Sequence, residues 1–132
     1  MKGRDEAMGL LRIQCTVTSL SDRSRSADVR DVLVDTGSEL SWMPARLLEH
    51  LGIEREPKQV AFLMANGDAV TRSIGYAIIR HGEFQTVDEI VFAEPHDQTL
   101  LGARTLEGMN VRVEPTTKRL VSAGPIVAAA CA

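Results

Sequence analysis

Aromatic side chains are scarce in this sequence, which limits both its core and its partners. Phe, Trp and Tyr together make up 4% of the 132 residues. The core must therefore be largely aliphatic. Proteins that bind single-stranded nucleic acid combine basic grooves with stacking aromatic side chains, whereas this chain has few aromatics and a formal net charge of −3. We therefore expect no nucleic-acid partner.

Cysteine and histidine are also rare. The two cysteines, Cys15 and Cys131, lie far apart and in no metal-binding spacing. This usage fits a reducing compartment better than a disulfide framework. The three histidines, His50, His81 and His96, lie on different segments, and no two of them have the spacing of zinc ligands. The sequence therefore predicts no metal site.

Long apolar runs are absent as well. No run approaches the length of about 20 residues that a helix needs to span a membrane, and no apolar signal core follows the charged first residues. The segment 123–132 is small and apolar but too short for an anchor. We therefore expect no membrane partner and a cytoplasmic location.

What the chain does contain is a series of short segments with the period of β-strands. From residue 10 to residue 20, apolar and polar side chains alternate, which predicts a half-buried strand with Cys15 in the core. Asn66-Gly67 is a strong hairpin signal, and Gly75 is a candidate for a β-bulge in the return strand. Strands are predicted at residues 10–20, 28–34, 58–64, 69–80, 84–92, 111–113 and 119–121, and short helices at 44–52 and 103–109.

Seven short strands, joined mostly by tight turns, indicate one domain with an all-β, mostly antiparallel barrel or sandwich. Residues 39–43 are predicted to be extended or irregular. Leu100-Leu101-Gly102 is a short apolar run that ends in glycine. There is no internal repeat.

The most informative stretch is residues 32–38. Val32-Leu33-Val34 predicts a short buried strand, and it leads directly into Asp35-Thr36-Gly37-Ser38. A carboxylate beside an apolar strand is costly unless it is hydrogen-bonded. Thr36 and Ser38 supply hydroxyls, and we expect the Ser38 hydroxyl to donate to ionised Asp35. An ordinary Asx-type turn after a strand is the simpler interpretation.

Three features agree in order and spacing: Asp35-Thr36-Gly37-Ser38 after an apolar strand, the Asn66-Gly67 hairpin, and Leu100-Leu101-Gly102 before a short helix. Together they resemble the single-domain, retroviral-type aspartic proteases (retropepsins) and their bacterial relatives. The resemblance implies a mostly antiparallel closed barrel with one or two short helices. It covers the domain at residues 9–122, between a charged lead-in at 1–8 and the apolar tail at 123–132.

The resemblance also implies roles for individual residues. Asp35 would be catalytic, supported by Thr36, Gly37 and Ser38, and the Asn66-Gly67 hairpin would be a flap over the substrate. Substrate would contact Leu40, Trp42, Asn66, Gly67, Asp68, Gln98 and Leu100, and a supporting loop would contain Leu101 and Gly102. Members of the family often have arginine directly after the motif glycine. Here Ala103 intervenes, so the register of a Glu39–Arg104 ion pair is open.

One Asp-Thr-Gly per chain has a mechanistic consequence. Two close carboxyls share one proton, so that one accepts a proton from water while the other donates one to the substrate carbonyl. The resemblance therefore implies an aspartic endopeptidase that acts as a symmetric homodimer on an extended peptide, with Asp35 from each subunit. Carboxyls and water fill both roles, so no cofactor is expected.

Two alternatives stay open at this stage. The chain could be a catalytically inactive retropepsin-fold module for dimerisation or peptide binding, because fold does not guarantee function. It could also be an unrelated small β-barrel that binds a ligand, with Asp35 in an ordinary turn.

Overall fold

The computed structural model describes residues 10–128. The expectations for the charged lead-in 1–8, for Cys131 and for the last four residues of the tail lie outside this range. The strands are β1 (Leu11–Ser19), β2 (Ser26–Val34), β3 (Ser41–Pro44), β4 (Gln59–Leu63), β5 (Ala69–His81), β6 (Phe84–Ala93), β7 (Leu100–Leu101), β8 (Val111–Glu114) and β9 (Arg119–Ser122), and the helices are α1 (Ala45–His50) and α2 (Ala103–Met109). The predicted all-β class with short helices is confirmed.

Seven strands form one sheet that closes on itself. The order is β1-β2-β7-β3-β6-β5-β4, and β1 also pairs with β5, so six strands form a ring from which β4 extends as a hairpin with β5. Most pairings are antiparallel, as predicted, but β2–β7 and β3–β6 are parallel. The β8–β9 hairpin forms a separate two-stranded sheet.

The two strands that were not predicted, β3 and β7, are the short ones at the centre of the ring. Strand β7 has two residues, and it pairs with β2 on one side and with β3 on the other, where Trp42 lies opposite Leu100. Two residues carry no detectable period, and β3 is buried on both faces. Such segments form strands because their neighbours in space pair with them, which a local pattern does not reveal.

The central strands separate two hydrophobic clusters. Inside the ring, Met43 and Leu101 join residues from every ring strand. On the outer face, their neighbours Trp42 and Leu100 pack with Leu33 and with β4 and β5. Successive residues of β3 and β7 are apolar because both faces of these strands are covered.

Gly75 is not a bulge, which corrects the prediction. The β5–β6 register runs without a shift through Gly75 and Ile90. A Cβ at Gly75 would lie 2.8 Å from the carbonyl oxygen of Glu54 and 2.9 Å from the Phe92 ring. The glycine is needed because another segment of backbone passes close to the strand.

The irregularity lies in β2 instead. The β1–β2 register shifts between Ile13 and Cys15, where Arg30 and Asp31 together lie opposite one residue of β1. Asp31 has a positive φ of 56° and is exposed. This bulge restores the alternation that buries Val32 and carries the strand to Asp35.

Both helices are short, and within residues 10–128 no helix is long and apolar enough to cross a membrane. Helix α1 starts one residue later than predicted, because Pro44 is its N-cap and the last residue of β3. Gly52, with φ +75°, ends the helix, and its amide donates to the carbonyl of Glu49. A glycine in the left-handed region is the usual stop for a helix.

Cys15 provides a direct test of the interior of the ring. Its side chain is 1% exposed, and burial raises the pKa of its thiol to about 12. Because the thiolate is the reactive species, we predict that Cys15 in a Cys131→Ala variant resists a thiol-specific reagent at pH 8 and reacts fully after unfolding in denaturant. Rapid labelling of the folded protein would contradict this placement.

Candidate active site

Asp35 lies at the end of β2, where the chain leaves the ring. Its backbone amide donates to the carbonyl of Leu101 at 2.9 Å, which continues the β2–β7 pairing into the loop. Its side-chain Oδ1 accepts the amide of Gly37 at 3.0 Å, and its carbonyl accepts the amide of Ser38 at 3.1 Å. The carboxylate is partly exposed. The loop therefore holds a solvent-accessible carboxylate in a fixed orientation.

The Ser38 hydroxyl does not donate to Asp35, which corrects the expectation. It donates to the carbonyl of Leu40 at 2.9 Å. A serine hydroxyl that bonds to the backbone two residues away stabilises a turn, so Ser38 fixes the loop and not the carboxylate. Thr36 and Gly37, at the apex of the loop, are exposed.

The first amides of α2 hold the other side of this loop. The amide of Ala103 donates to the carbonyl of Ser38 at 2.7 Å, and that of Arg104 to the carbonyl of Glu39 at 3.1 Å. The first amides of a helix have no partner within the helix, and α2 has no side-chain cap. Loop carbonyls thus take the place of a capping side chain.

The Glu39–Arg104 pair, whose register was open, is formed. Arg104 Nε lies 3.2 Å from Glu39 Oε2, and Arg104 Nη1 lies 2.8 Å from Glu89 Oε1. Glu39 is well exposed, and exposed ion pairs contribute little to stability. The pair therefore orients the Glu39 side chain at the edge of the loop more than it stabilises the fold.

An open cavity of about 590 Å³ lies above the Asp35 loop. Seven residues predicted for the site share its lining: Asp35, Gly37, Ser38, Leu40, Trp42, Gln98 and Leu100. The lining also includes Glu39, Phe62, Leu63, Met64 and Ala65, which were not predicted. Apart from Glu39, these come from β4 and the start of its turn, whose apolar residues at positions 60, 62 and 64 all face the outer cluster. This alternation in the sequence is the signal that could have identified β4 as part of the cavity wall.

Aromatic contact joins the two walls of the cavity. The rings of Trp42 and Phe62 are tilted by 57° with their centroids 4.9 Å apart. Tilted pairs at this distance are favourable beyond their buried area. In a chain with five aromatic residues, this pair holds β4 against β3 close to the turn of the β4–β5 hairpin.

The tip of the hairpin lies beyond the cavity. Asn66, Gly67 and Asp68 are exposed and do not line it. The amide of Gly67, with φ +92°, donates to the carbonyl of Met64, and the amide of Asp68 donates to Asn66 Oδ1. The tip is thus a hydrogen-bonded turn that needs glycine at position 67.

A buried ion pair ties the hairpin to the opposite wall. Arg72 on β5 donates through Nε and Nη2 to the two oxygens of Asp97, at 2.7 and 2.9 Å. The side chains are 9% and 5% exposed. Hydrogen bonds from Arg72 hold the pKa of Asp97 below its usual range, against the opposing effect of burial. Asp97 precedes Gln98, so the pair also positions a residue of the cavity lining.

The histidines are dispersed. His50 lies in the last turn of α1, His81 Nδ1 bonds to the carbonyl of Gln14, and His96 lies in the loop before Asp97. Within the part of the chain that the structure describes, no three His, Cys, Asp or Glu side chains are grouped closely enough to hold a metal ion.

A ring of short strands, with a single Asp-Thr-Gly loop held against a Leu-Leu-Gly segment, is the arrangement of a retropepsin-like aspartic protease. A family model described as "gag-polyprotein putative aspartyl protease" matches residues 27–108. This is more than half of the chain, and the protein belongs to that family. The match starts in β2 and ends in α2, so it includes both the Asp35 loop and Gly102. No curated protein matches the chain. Membership excludes the alternative of an unrelated small β-barrel.

The close approach at Gly102 can be tested by adding one methyl group. A Cβ at Gly102 would lie 2.6 Å from the carbonyl carbon of Leu40 and 2.8 Å from the carbonyl oxygen of Ser38. These are backbone atoms that cannot rotate away. We predict that Gly102→Ala lowers the free energy of unfolding by about 2–3 kcal/mol, measured by urea denaturation.

The matched control is Gly82→Asn. A Cβ at Gly82 meets nothing within 4 Å, and asparagine tolerates its φ of +59°. This change should cost less than Gly102→Ala, no more than about 1 kcal/mol. Equal effects at the two glycines would show that the space at Gly102 is not limiting.

The Arg72–Asp97 pair predicts a pH dependence with a definite sign. The folded-state pKa of Asp97 is lowered, so the pair stabilises the fold above the ordinary aspartate pKa of about 3.9. That contribution disappears as the pH falls from about 4 towards the lower folded-state value. We predict that Asp97→Asn costs about 2 kcal/mol at pH 7, between the values for exposed and buried pairs. The difference from the wild type should shrink below about pH 4.

Glu94→Gln is the control for this measurement. Glu94 lies 3.7 Å from the same guanidinium but is 53% exposed, so its loss should change the unfolding midpoint little at any pH. A difference between wild type and Asp97→Asn that stays constant from pH 7 to pH 3 would contradict the assignment.

Proposed function

We propose that this protein is an aspartic endopeptidase that acts as a homodimer, with a water molecule activated between two Asp35 carboxyls, one from each subunit. The observation that carries the proposal is the partly exposed Asp35 carboxylate, held in the Asp-Thr-Gly loop at the edge of an open, mainly apolar cavity. Membership of an aspartyl protease family supports the reaction class.

The chemistry explains why one subunit is not enough. One carboxylate accepts a proton from the attacking water, while a protonated carboxyl donates its proton to the carbonyl oxygen of the scissile peptide. Two carboxyls about 3 Å apart share one proton and so supply both states. The sequence contains Asp-Thr-Gly once, so the second carboxyl comes from a second copy.

The exposed apex of the loop supports this assembly. Thr36 and Gly37 lie at the surface beside Asp35. A two-fold axis through this apex brings two equivalent loops together and lets Thr36 bond across the axis. Backbone contacts to Leu101, Ala103 and Arg104 hold the loop of each subunit from behind.

The cavity supports an extended, mainly apolar peptide as substrate. Its apolar walls include Trp42, Phe62 and Leu100, and Leu63 on β4 is 80% exposed. In the proposed complex, the β4–β5 hairpin acts as a flap, and the peptide lies beneath it as an added strand. A cytoplasmic location, expected from the cysteine usage, belongs to the same proposal.

The first test is proteolysis of an unstructured protein. We predict that Asp35→Asn lowers the cleavage rate by about a thousand-fold, in the range supplied by general acid–base catalysis. A statine-type inhibitor should block the wild type. Ser24→Ala, in the exposed turn at the opposite end of β2 from Asp35, serves as the control variant. Equal cleavage by wild type and Asp35→Asn would refute the mechanism.

Subunit mixing tests the dimer. If wild-type and Asp35→Asn chains exchange freely in equal amounts, random pairing leaves about half of the original activity for the same quantity of wild-type chain. Undiminished activity would indicate that each chain works alone. A protein that dimerises and binds peptides without cleaving them would be the catalytically inactive module instead.

A further inference from the structure

Two hydroxyl groups are buried behind the catalytic loop. Ser41 on β3 and Thr105 on α2 are each 0% exposed and hydrogen-bond to one another. They are not in contact with the cavity. Buried hydroxyls are costly unless their bonds are satisfied, so their partners define what the pair does.

Those partners fix the direction in which the two hydroxyls donate their protons. The amide of Gly102 donates to Ser41 Oγ at 2.9 Å, and Thr105 Oγ1 donates to Asp88 Oδ2 at 2.9 Å. Because a hydroxyl has one proton and that of Thr105 is committed to Asp88, Ser41 must donate to Thr105. In this series of hydrogen bonds, every donated proton therefore points towards the carboxylate of Asp88.

At its other end this series of hydrogen bonds reaches Asp35. The amide of Gly102 and the carbonyl of Leu101 belong to the same peptide group, and that carbonyl accepts the Asp35 amide at 2.9 Å. The complete series runs from the Asp35 amide through this peptide group to Ser41, to Thr105 and to Asp88. It consists of four hydrogen bonds in one direction.

We propose that Asp88 is a positioning residue for Asp35, acting through the Leu101–Gly102 peptide, Ser41 and Thr105. The catalytic consequence of this arrangement rests on the proposed function, whereas the effect of Asp88 on the position of the Asp35 loop does not. Hydrogen bonds in series polarise one another, and a carboxylate at the accepting end strengthens the whole series. The Leu101 carbonyl becomes a better acceptor, and the start of the Asp35 loop is held more rigidly.

Asp88 is itself held in place. Its Oδ1 accepts the amide of Glu89 at 2.8 Å, which leaves Oδ2 directed at Thr105. Without a negative charge on Asp88, no strong acceptor fixes the orientation of the Ser41 and Thr105 hydroxyls. The Gly102 amide then no longer donates to a Ser41 oxygen in one fixed orientation. The charge of Asp88, and not only its shape, is therefore required.

The primary test is NMR spectroscopy of the folded protein, which does not depend on activity. In Asp88→Asn, which keeps the shape and removes the charge, the amide protons of Gly102 and Asp35 should move upfield, Gly102 by more, because their hydrogen bonds weaken. Thr105→Val, which keeps the shape and removes the hydroxyl, should do the same, and Thr105→Ser should restore the wild-type shifts. If Thr105→Val fails to fold, Asp88→Asn decides.

Ser19→Ala is the matched control. Ser19 is also a buried serine at 1% exposure, but its hydroxyl bonds to that of Ser21, outside the chain described above. It should leave the shifts of Gly102 and Asp35 unchanged. Unchanged shifts in folded Asp88→Asn would overturn the proposal, whether or not the wild type proves to be a protease.

Kinetics provide the second readout where the wild type cleaves peptides. A residue that positions the catalytic carboxyl should lower kcat about ten-fold and leave KM within about two-fold, since substrate contacts are untouched. The opposite split, with KM raised and kcat unchanged, would overturn the positioning role. Absence of cleavage by the wild type would refute the proposed function and leave the NMR result to decide this one.

Discussion

The peptide group between Leu101 and Gly102 is the contact on which the candidate active site depends. Its carbonyl holds the Asp35 amide, its own amide is held by Ser41, and Gly102 lies against the backbone of the Asp35 loop with no room for a side chain. This restriction fixes the position of the carboxylate, because the Asp35 loop is hydrogen-bonded to β7 and to the start of α2.

The same region also explains how an open cavity coexists with a stable core. Central strands with both faces buried place one set of side chains inside the ring and the alternate set beneath the cavity. The cavity is therefore lined by residues such as Trp42 and Leu100, whose immediate neighbours along the chain belong to the core. A cavity built in this way is pre-formed, and binding does not have to order its floor.

Much of this arrangement could be predicted from the sequence, and the exceptions have physical causes. The Asp35 loop, the hairpins and both helices carry local signals: an apolar run before a carboxylate, turn residues, and Gly52 or Asn110 after a helix. Strands β3 and β7 carry none, because their pairing comes from neighbours in space. The sequence predicts the wrong acceptor for the Ser38 hydroxyl, because the carbonyl of Leu40 comes close to it only in the folded loop. The sequence predicts a bulge at Gly75, because a bulge and a close approach by residues 53–54 both require a glycine within a strand.

The hydrogen bonds that join Ser41 to Gly102 and to Thr105 connect residues 61 and 64 positions apart. Contacts of this separation form late, since the chain between them must be ordered first. During synthesis, the Asp35 loop leaves the ribosome long before the residues that hold it. The Asp35 loop of a growing chain therefore lacks these supporting contacts until residues 102–105 have been made, when most of the domain already exists.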